Sequence, residues 1–252
     1  MWHQFSFLGG GGGGTTITTS GLVTWLQGGT GSYNPTTNIW QDVSGNNNSA
    51  SVINGPLAIS TEISNGWKFN PTSGSYVQWP AVMNNQPTTS YTYIVSGNFQ
   101  IPVSGSSFTL PLFSKYNANA GWWDTQEVYN PTGGTNPKGR VNQEYDYGSL
   151  EGNNRINYVA TGVKQVLTFT ANPDTAEWQL YVNQTTNGAF AGVVRNWTIN
   201  SLSFRFGYNP ESVGIFNKSV SDFLVYSRIL TIDEIYNNVD YLLAYNPNNY
   251  QS

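Results

Sequence analysis

The sequence lacks cysteine, has a single histidine and is poor in charge. Without cysteine there are no disulfides and no thiol chemistry. The one histidine, His3, lies near the N-terminus, so Ser-His-Asp, Cys-His and His-rich metal sites are excluded from the rest of the chain. Charged residues make up 10% of the 252 residues, against about 25% in an average soluble domain. Uncharged polar residues must cover the surface, as in many secreted, viral and carbohydrate-binding β-proteins.

The sequence also has no excess of basic over acidic residues and no long apolar run. A formal net charge of −4 and a pI of about 4.8 provide no field that attracts phosphates, so we expect no nucleic-acid partner. No apolar run approaches the roughly 18 residues of a membrane span, so we expect no membrane partner. The first eight residues lack the basic region of a secretory signal, so we expect synthesis in the cytoplasm without a signal peptide.

A run of six glycines, Gly9 to Gly14, separates a short aromatic arm from the rest of the chain. Such a run has high backbone entropy and no side chains to pack, which is typical of a linker. No lysine and no helical pattern follow it, so it is not a phosphate-binding loop. We expect an arm and linker over residues 1–20 and one domain over residues 21–252. The arm offers four residues as anchors on a partner subunit: Trp2, Phe5, Phe7 and Leu8.

Most of the chain after residue 21 consists of short apolar or alternating stretches between Gly, Pro and Asn pairs. This pattern predicts an all-β fold of two packed antiparallel sheets. A turn is predicted at 172–175 and a loop at 183–188. The predicted strands are 22–26, 39–43, 50–53, 66–69, 76–79, 91–99, 108–115, 141–147, 156–159, 165–171, 177–182, 192–194, 202–208 and 220–226.

One helix is predicted, directly after the last strand. Thr231 and Glu234 have the spacing of a capping box, and Leu230 and Ile235 have that of a hydrophobic staple. From Ile235 onward, apolar residues recur at i, i+4 and i+7, so one face of the helix should lie on a larger body.

Several segments, taken in order, resemble the laminin-G-like, concanavalin A-like sandwich family in its microbial and viral surface variety. The turn from Trp40 to Asn46 (W-Q-D-V-S-G-N) is similar to a W-x-D-x-S-G-N turn of that family. The similarity covers most of residues 21–246. Its other segments are 21–26, 54–56, 66–69, 76–77, 177–183, 203–207 and 223–235.

This resemblance implies a two-sheet antiparallel jelly roll with a short C-terminal helix, and a role in binding or display. Relatives often hold calcium with loop carboxylates. Asp42 and Asp222 are therefore calcium candidates, and no other cofactor is expected. The alternative for Asp42 is that it caps its own turn by accepting hydrogen bonds from the backbone at residues 44–46.

Aromatic residues in a polar stretch indicate possible sugar binding, because aromatic rings stack on the apolar faces of sugars. The alternative is that these rings cover the ends of the core or contact a neighbouring subunit. The candidates are Trp122, Trp123, Tyr129, Tyr145 and Tyr147.

The segment from Glu144 to Glu151 is the best candidate for catalysis, because some glycoside hydrolases of this fold carry an E-x-D-x-x-E strand. Glu144 and Asp146 would share a strand face, but Glu151 is out of phase and roughly 23 Å from Glu144 along an ideal strand. Retaining hydrolysis needs two carboxyl groups about 5 Å apart. We therefore interpret the segment as a solvated strand edge and predict that the protein is not an enzyme.

Two functional hypotheses remain ahead of a glycoside hydrolase. In the first, the chain is a structural or decoration subunit of a large homo- or hetero-oligomeric assembly, attached through its arm. The family's distribution suggests a virion surface, as capsid decoration, fibre or tail protein. In the second, the chain is a lectin-like module that binds glycans in adhesion.

Overall fold

A computed structural model of the chain shows two antiparallel β-sheets and one α-helix among the residues that it describes. It describes residues 16–29, 31–69, 74–80, 90–99, 163–172, 175, 177–191, 204–207 and 218–244. It describes the backbone alone of 108–117, 122–130, 138–145, 155–157, 178 and 186–191. The predicted all-β fold of two antiparallel sheets with one helix is confirmed. The arm residues Trp2, Phe5, Phe7 and Leu8 lie outside the described residues.

The strands follow one another along the chain, and the helix comes last. They are β1 (Leu22–Leu26), β2 (Tyr33–Asn34), β3 (Ile39–Trp40), β4 (Ala50–Ile53), β5 (Ala58–Ile59), β6 (Trp67–Lys68), β7 (Tyr76–Gln78), β8 (Tyr91–Asn98), β9 (Phe108–Asn117), β10 (Trp122–Asn130), β11 (Lys138–Tyr145), β12 (Arg155–Asn157), β13 (Gln165–Asn172), β14 (Glu177–Val182), β15 (Thr185–Ala191), β16 (Phe204–Phe206) and β17 (Ser219–Tyr226), followed by α1 (Ile232–Ala244).

The strands form two sheets, which we name A and B. Sheet A has the order β15-β14-β13-β8-β17-β6-β5, and β1 also pairs with β17. Sheet B has the order β12-β11-β10-β9-β16-β7-β4-β3-β2. At one side of the sandwich, edge strand β12 lies against edge strand β15. At the other, the ring of Tyr33 meets the ring of Trp67 edge-on, with centroids 4.8 Å apart.

Aromatic rings from both sheets fill the space between them. Phe223 of sheet A lies at the centre, with its ring centroid 4.3 Å from that of Phe206 and 5.2 Å from that of Trp40, both in sheet B. All three side chains are fully buried, and their edge-to-face packing is a favoured arrangement of aromatic pairs. This cluster joins the two sheets.

A second apolar layer lies on the other side of sheet A, beneath α1. Leu224 and Tyr226 of β17 pack there with Ile235, Val239 and Leu242 of the helix. These helical residues recur at the spacing that predicted an apolar face. The helix therefore covers the side of sheet A that faces away from sheet B.

The start of α1 has the predicted capping box. The Thr231 N–H donates to Glu234 Oε2 (2.9 Å), and the Glu234 N–H donates to Thr231 Oγ1 (3.3 Å). Arg228 adds two hydrogen bonds to the Glu234 carboxylate, of 2.7 and 2.6 Å. Together with the Thr231 bonds, this ion pair lowers the pKa of Glu234 to about 2.

The segment that precedes β1, part of the predicted arm and linker, is fastened along α1 and β17. Ile17 is buried in the layer beneath the helix. The Thr18 N–H donates to Asn238 Oδ1 (2.8 Å), and the Tyr226 hydroxyl donates to the Thr18 carbonyl (2.9 Å). Asn238 Nδ2 donates back to the Tyr226 hydroxyl (3.1 Å). Residues 17 and 18 thus lie on the face of the domain that carries the helix.

Several predicted strands and turns agree with the structure, whereas the predictions for residues 183–188 and 122–130 do not. β1, β4 and β14 have the predicted bounds, and Asn172 pairs with Glu177 across the predicted 172–175 turn. The loop predicted at 183–188 is wrong, because a two-residue turn leads directly into β15. The segment 122–130, expected as a polar stretch between strands, forms β10. Its polar residues hide the strand pattern, and pairing with β9 and β11 determines its structure.

No helix in the described parts of the chain is long and apolar enough to cross a membrane.

Candidate functional site

Asp42, a calcium candidate, accepts hydrogen bonds from its own turn and from β1. Its Oδ1 accepts from the backbone N–H groups of Trp25 and Ser44, each at 2.9 Å. Its Oδ2 accepts from the Ser44 hydroxyl (2.9 Å) and from the Asn48 N–H (2.8 Å). A cation would have to displace these donors. Asp42 therefore caps its turn, as the alternative interpretation expected.

The same turn covers the outer edge of β1. Asn46 Nδ2 donates to the Leu22 carbonyl and Asn48 Nδ2 to the Val23 carbonyl, both at 2.8 Å. The Val43 N–H donates to the Trp25 carbonyl (2.9 Å). An unpaired strand edge is open to pairing with another chain, and these bonds close this one. The motif that carries the family resemblance thus has a structural role at this edge.

Asp222, the second calcium candidate, is fully buried in β17. Its Oδ1 accepts from the Trp25 indole N–H (3.3 Å) and the Gly28 N–H (3.2 Å), while Oδ2 has no hydrogen-bond partner among the described residues. Nearby Lys164 donates from Nζ to the Leu242 carbonyl (2.7 Å). Burial lowers the pKa of Lys164, and the Asp222 carboxylate opposes this shift. Asp222 is therefore held by the Trp25 indole and the Gly28 backbone, and its charge favours the charged form of Lys164.

Metal ligands are also sparse around these two carboxylates. In the parts of the chain that the structure describes, no three His, Cys, Asp or Glu side chains lie together in a way that could hold a metal ion.

The side chains of β16 alternate between the two faces of sheet B and so distinguish them. Phe204 and Phe206 are fully buried between the sheets, whereas Arg205 is half-buried and lies on the opposite face. Arg205 Nε donates to Gln78 Oε1 (3.2 Å), and the guanidinium carbon lies 5.4 Å from the ring centroid of Tyr76. We name the face that carries Arg205 the outer face of sheet B and the opposite face the inner face.

The strand register extends this distinction to β9, β10 and β11. Arg205 pairs with Ser114, Ser114 with Thr125, and Thr125 with Asn142. Directly paired residues share a face, and faces alternate along each strand. On β10, β11 and β12 the outer-face positions are all polar or aromatic: Trp123, Thr125, Glu127, Tyr129, Lys138, Arg140, Asn142, Glu144, Arg155 and Asn157. On β9 the outer-face positions are Ser114 and Tyr116 and, beyond a bulge, Thr109 and Pro111.

The register divides the predicted sugar-binding residues into two groups. Trp123 and Tyr129 occupy outer-face positions, and Glu144 pairs directly with Trp123. Trp122 and Tyr145 pair with each other at inner-face positions. Tyr147 lies outside the described residues, as do Asp146 and Glu151 of the catalytic candidate.

Sequence reasoning missed three outer-face residues: Tyr116, Arg140 and Arg155. The predicted strands 108–115, 141–147 and 156–159 exclude these three residues, which lie in β9, β11 and β12. Recognising 122–130 as a strand would have supplied the partner through which the register of β9 and β11 assigns a shared face. That signal would also have separated Trp122 from Trp123, because neighbouring residues in a strand lie on opposite faces.

The sequence matches no family profile and no curated protein. Similar solved structures do exist. Trypanosoma rangeli sialidase has a TM-score of 0.60 at 18% identity, over 90% of this chain and 34% of the sialidase chain. A botulinum neurotoxin type C structure, described as interacting with two ganglioside molecules, has a TM-score of 0.62 at 16% identity, over 89% of this chain and 52% of the toxin chain.

The binding domain of botulinum neurotoxin serotype D/C is equally similar, with a TM-score of 0.62 at 16% identity. This chain spans about a third of the sialidases and about half of the toxin chains. At this level of identity the similarity shows the β-sandwich fold alone.

The prediction that the protein is not an enzyme is contradicted by the sialidases. Their chains are enzymes, and about a third of their length is similar to most of this chain. The strand-edge interpretation of Glu144 excluded one arrangement of carboxylates and could not exclude catalysis in general.

Proposed function

We propose that this chain is a lectin-like module that binds glycans on the outer face of sheet B. The observation that carries the proposal is the register of β9 to β12. It places Tyr116, Trp123 and Tyr129 on one face among hydroxyl, amide and charged residues. Glycan sites combine aromatic surfaces for ring stacking with polar groups for the hydroxyls.

The structural comparisons support the proposal through the class of proteins that share the fold. The toxin structure is described as interacting with gangliosides, which are glycan-bearing lipids. We further infer that the sandwich is of the laminin-G-like, concanavalin A-like jelly-roll type. The turn from Trp40 to Asn46 and the helix that follows β17 support this assignment.

The test compares the two neighbouring tryptophans of β10. Trp123→Ala should reduce retention on a glycan array roughly tenfold or more, as the loss of a central aromatic contact does. Its melting temperature should change little, because the position is on the outer face. Trp122→Ala is the matched control on the inner face. It should lower the free energy of unfolding by roughly 3 kcal/mol, because it replaces a large residue at an inner-face position, the face on which Phe204 and Phe206 are buried.

Unchanged retention by Trp123→Ala, or failure of the wild-type protein to bind any glycan, would overturn the proposal. A large loss of stability in Trp123→Ala would assign that residue to the core instead.

A second candidate function is display on a larger assembly, with the aromatic arm as the attachment. It is favoured by the anchoring of Ile17 and Thr18 along α1, because a fixed point of attachment next to the arm would hold the domain firmly on a partner. Deleting residues 1–14 should leave a folded domain that no longer incorporates into its assembly. Unchanged incorporation would rule out the arm as the attachment. A virion surface remains the proposed location.

A further inference from the structure

Two arginines lie directly opposite each other on the outer face of sheet B. Arg140 of β11 pairs with Arg155 of β12 at the edge of the sheet. Lys138, two residues from Arg140, lies on the same face and pairs with Asn157. Three basic positions therefore occupy one corner of the proposed glycan-binding face.

This arrangement is unfavourable for the isolated domain. Directly opposed like charges in an antiparallel pair are destabilising. The chain has only 10 lysines and arginines and a net charge of −4. A protein so poor in positive charge nevertheless places three of these residues at neighbouring positions. Glu127 pairs with Arg140 from the β10 side, so three of these four positions are basic and one is acidic.

We propose that the glycan recognised on this face is anionic, with a carboxylate or sulfate group held by Arg140 and Arg155. This inference rests on the proposed glycan-binding function and adds the ligand's charge to it. Arginine suits this role because its planar guanidinium can form two parallel hydrogen bonds to a carboxylate or a sulfate. An anion bound at these two paired positions would also offset the unfavourable pairing of like charges.

The aromatic positions complete the proposed site. Tyr129 pairs with Lys138 and lies diagonally across from Arg140. Diagonal neighbours in an antiparallel pair are about 7–8 Å apart at the backbone, within reach of long and aromatic side chains. A sugar ring stacked at Tyr129 can therefore place an acidic substituent near Arg140 and Arg155 without leaving the face.

The experiment measures binding of the full chain to an array of neutral, carboxylated and sulfated glycans. The wild-type protein should retain acidic glycans preferentially. Arg140→Gln and Arg155→Gln should each weaken acidic-glycan binding roughly tenfold, because each removes a charge-assisted contact. Arg155→Lys should retain part of the affinity. Raising NaCl from about 0.05 M to about 0.5 M should weaken acidic-glycan binding, because salt screens exposed charges.

Lys68→Gln is the charge-matched control, because Lys68 lies in sheet A and pairs with Glu62. It should leave acidic-glycan binding unchanged. A second measurement, the melting temperature, shows whether a variant that loses binding is still folded. Arg155→Gln should raise the melting temperature, because it removes one of two directly opposed like charges.

The outcomes separate the two proposals. Binding of neutral glycans alone, lost in Trp123→Ala but kept in both arginine variants, would overturn the anionic assignment and leave the glycan-binding function standing. Binding to nucleic acid or inorganic phosphate with no acidic-glycan binding would overturn both proposals.

Discussion

Glu234 shows how one side chain can connect two stabilising interactions. It belongs to the capping box of α1 and pairs with Arg228, which also donates from Nε to the Ser20 carbonyl (3.0 Å). The carboxylate thus links the start of the helix to the segment that precedes β1. Thr231 and Glu234 were predicted from their spacing, because capping is local in sequence. Arg228 was not, because its partners are set by the tertiary fold.

Stability should therefore fall at acidic pH in a way that depends on Glu234. Its pKa is about 2 in the folded chain and about 4.3 in an unfolded one, so protonation favours unfolding. The contribution is fully present above the unfolded pKa and is lost as pH falls through about 2. Glu234→Gln should cost about 1 kcal/mol at pH 7 and flatten the acid limb of the stability curve.

Urea unfolding at several pH values measures this difference. Asp233→Asn, an exposed acidic residue of the same turn, is the control and should keep the wild-type pH dependence. Parallel wild-type and Glu234→Gln curves would show that the ion pair contributes nothing.

Asp42 gives a second test at the residue scale. Asp42→Ala removes the acceptor of four hydrogen bonds and exposes the edge of β1, so it should lower the free energy of unfolding by roughly 2–3 kcal/mol. Calcium should leave the wild-type melting temperature unchanged, because both carboxylate oxygens already have donors. A calcium-dependent rise that disappears in Asp42→Ala would identify Asp42 as a ligand instead.

At the scale of elements, β10 is a strand that the sequence pattern alone did not predict. Strands with an apolar alternation, such as β1 and β14, were predicted with their bounds. β10 carries polar residues at most positions, so no periodicity marks it, and its structure depends on pairing with β9 and β11. The candidate aromatic residues were found from composition, but their division between two faces needed the register.

The absence of cysteine makes the faces of β10 directly measurable, because a single introduced thiol is the only one in the chain. Thr125→Cys, on the outer face, should react rapidly with a maleimide. Gln126→Cys, on the inner face, should react more slowly, by about tenfold for every 1.4 kcal/mol needed to open the structure. Equal rates, or the reverse order, would show that the faces are assigned wrongly.

At the scale of the whole molecule, the helix side of the sandwich and the proposed glycan site lie on opposite sides. The helix and the anchored segment from Thr16 to Ser20 lie on the far side of sheet A, whereas the proposed glycan site lies on the outer face of sheet B. Attachment through the residues that precede Thr16 would thus act on the side of the domain opposite the proposed glycan face. Display and glycan binding are therefore compatible roles of one chain.

The most direct test of the glycan site is the maleimide labelling rate of Thr125→Cys with and without a glycan that the wild-type protein binds. Thr125 lies between Trp123 and Glu127 on the outer face, so a bound glycan should cover it and slow labelling. A labelling rate that stays the same at saturating glycan would place the binding site elsewhere and contradict the proposed function of this face.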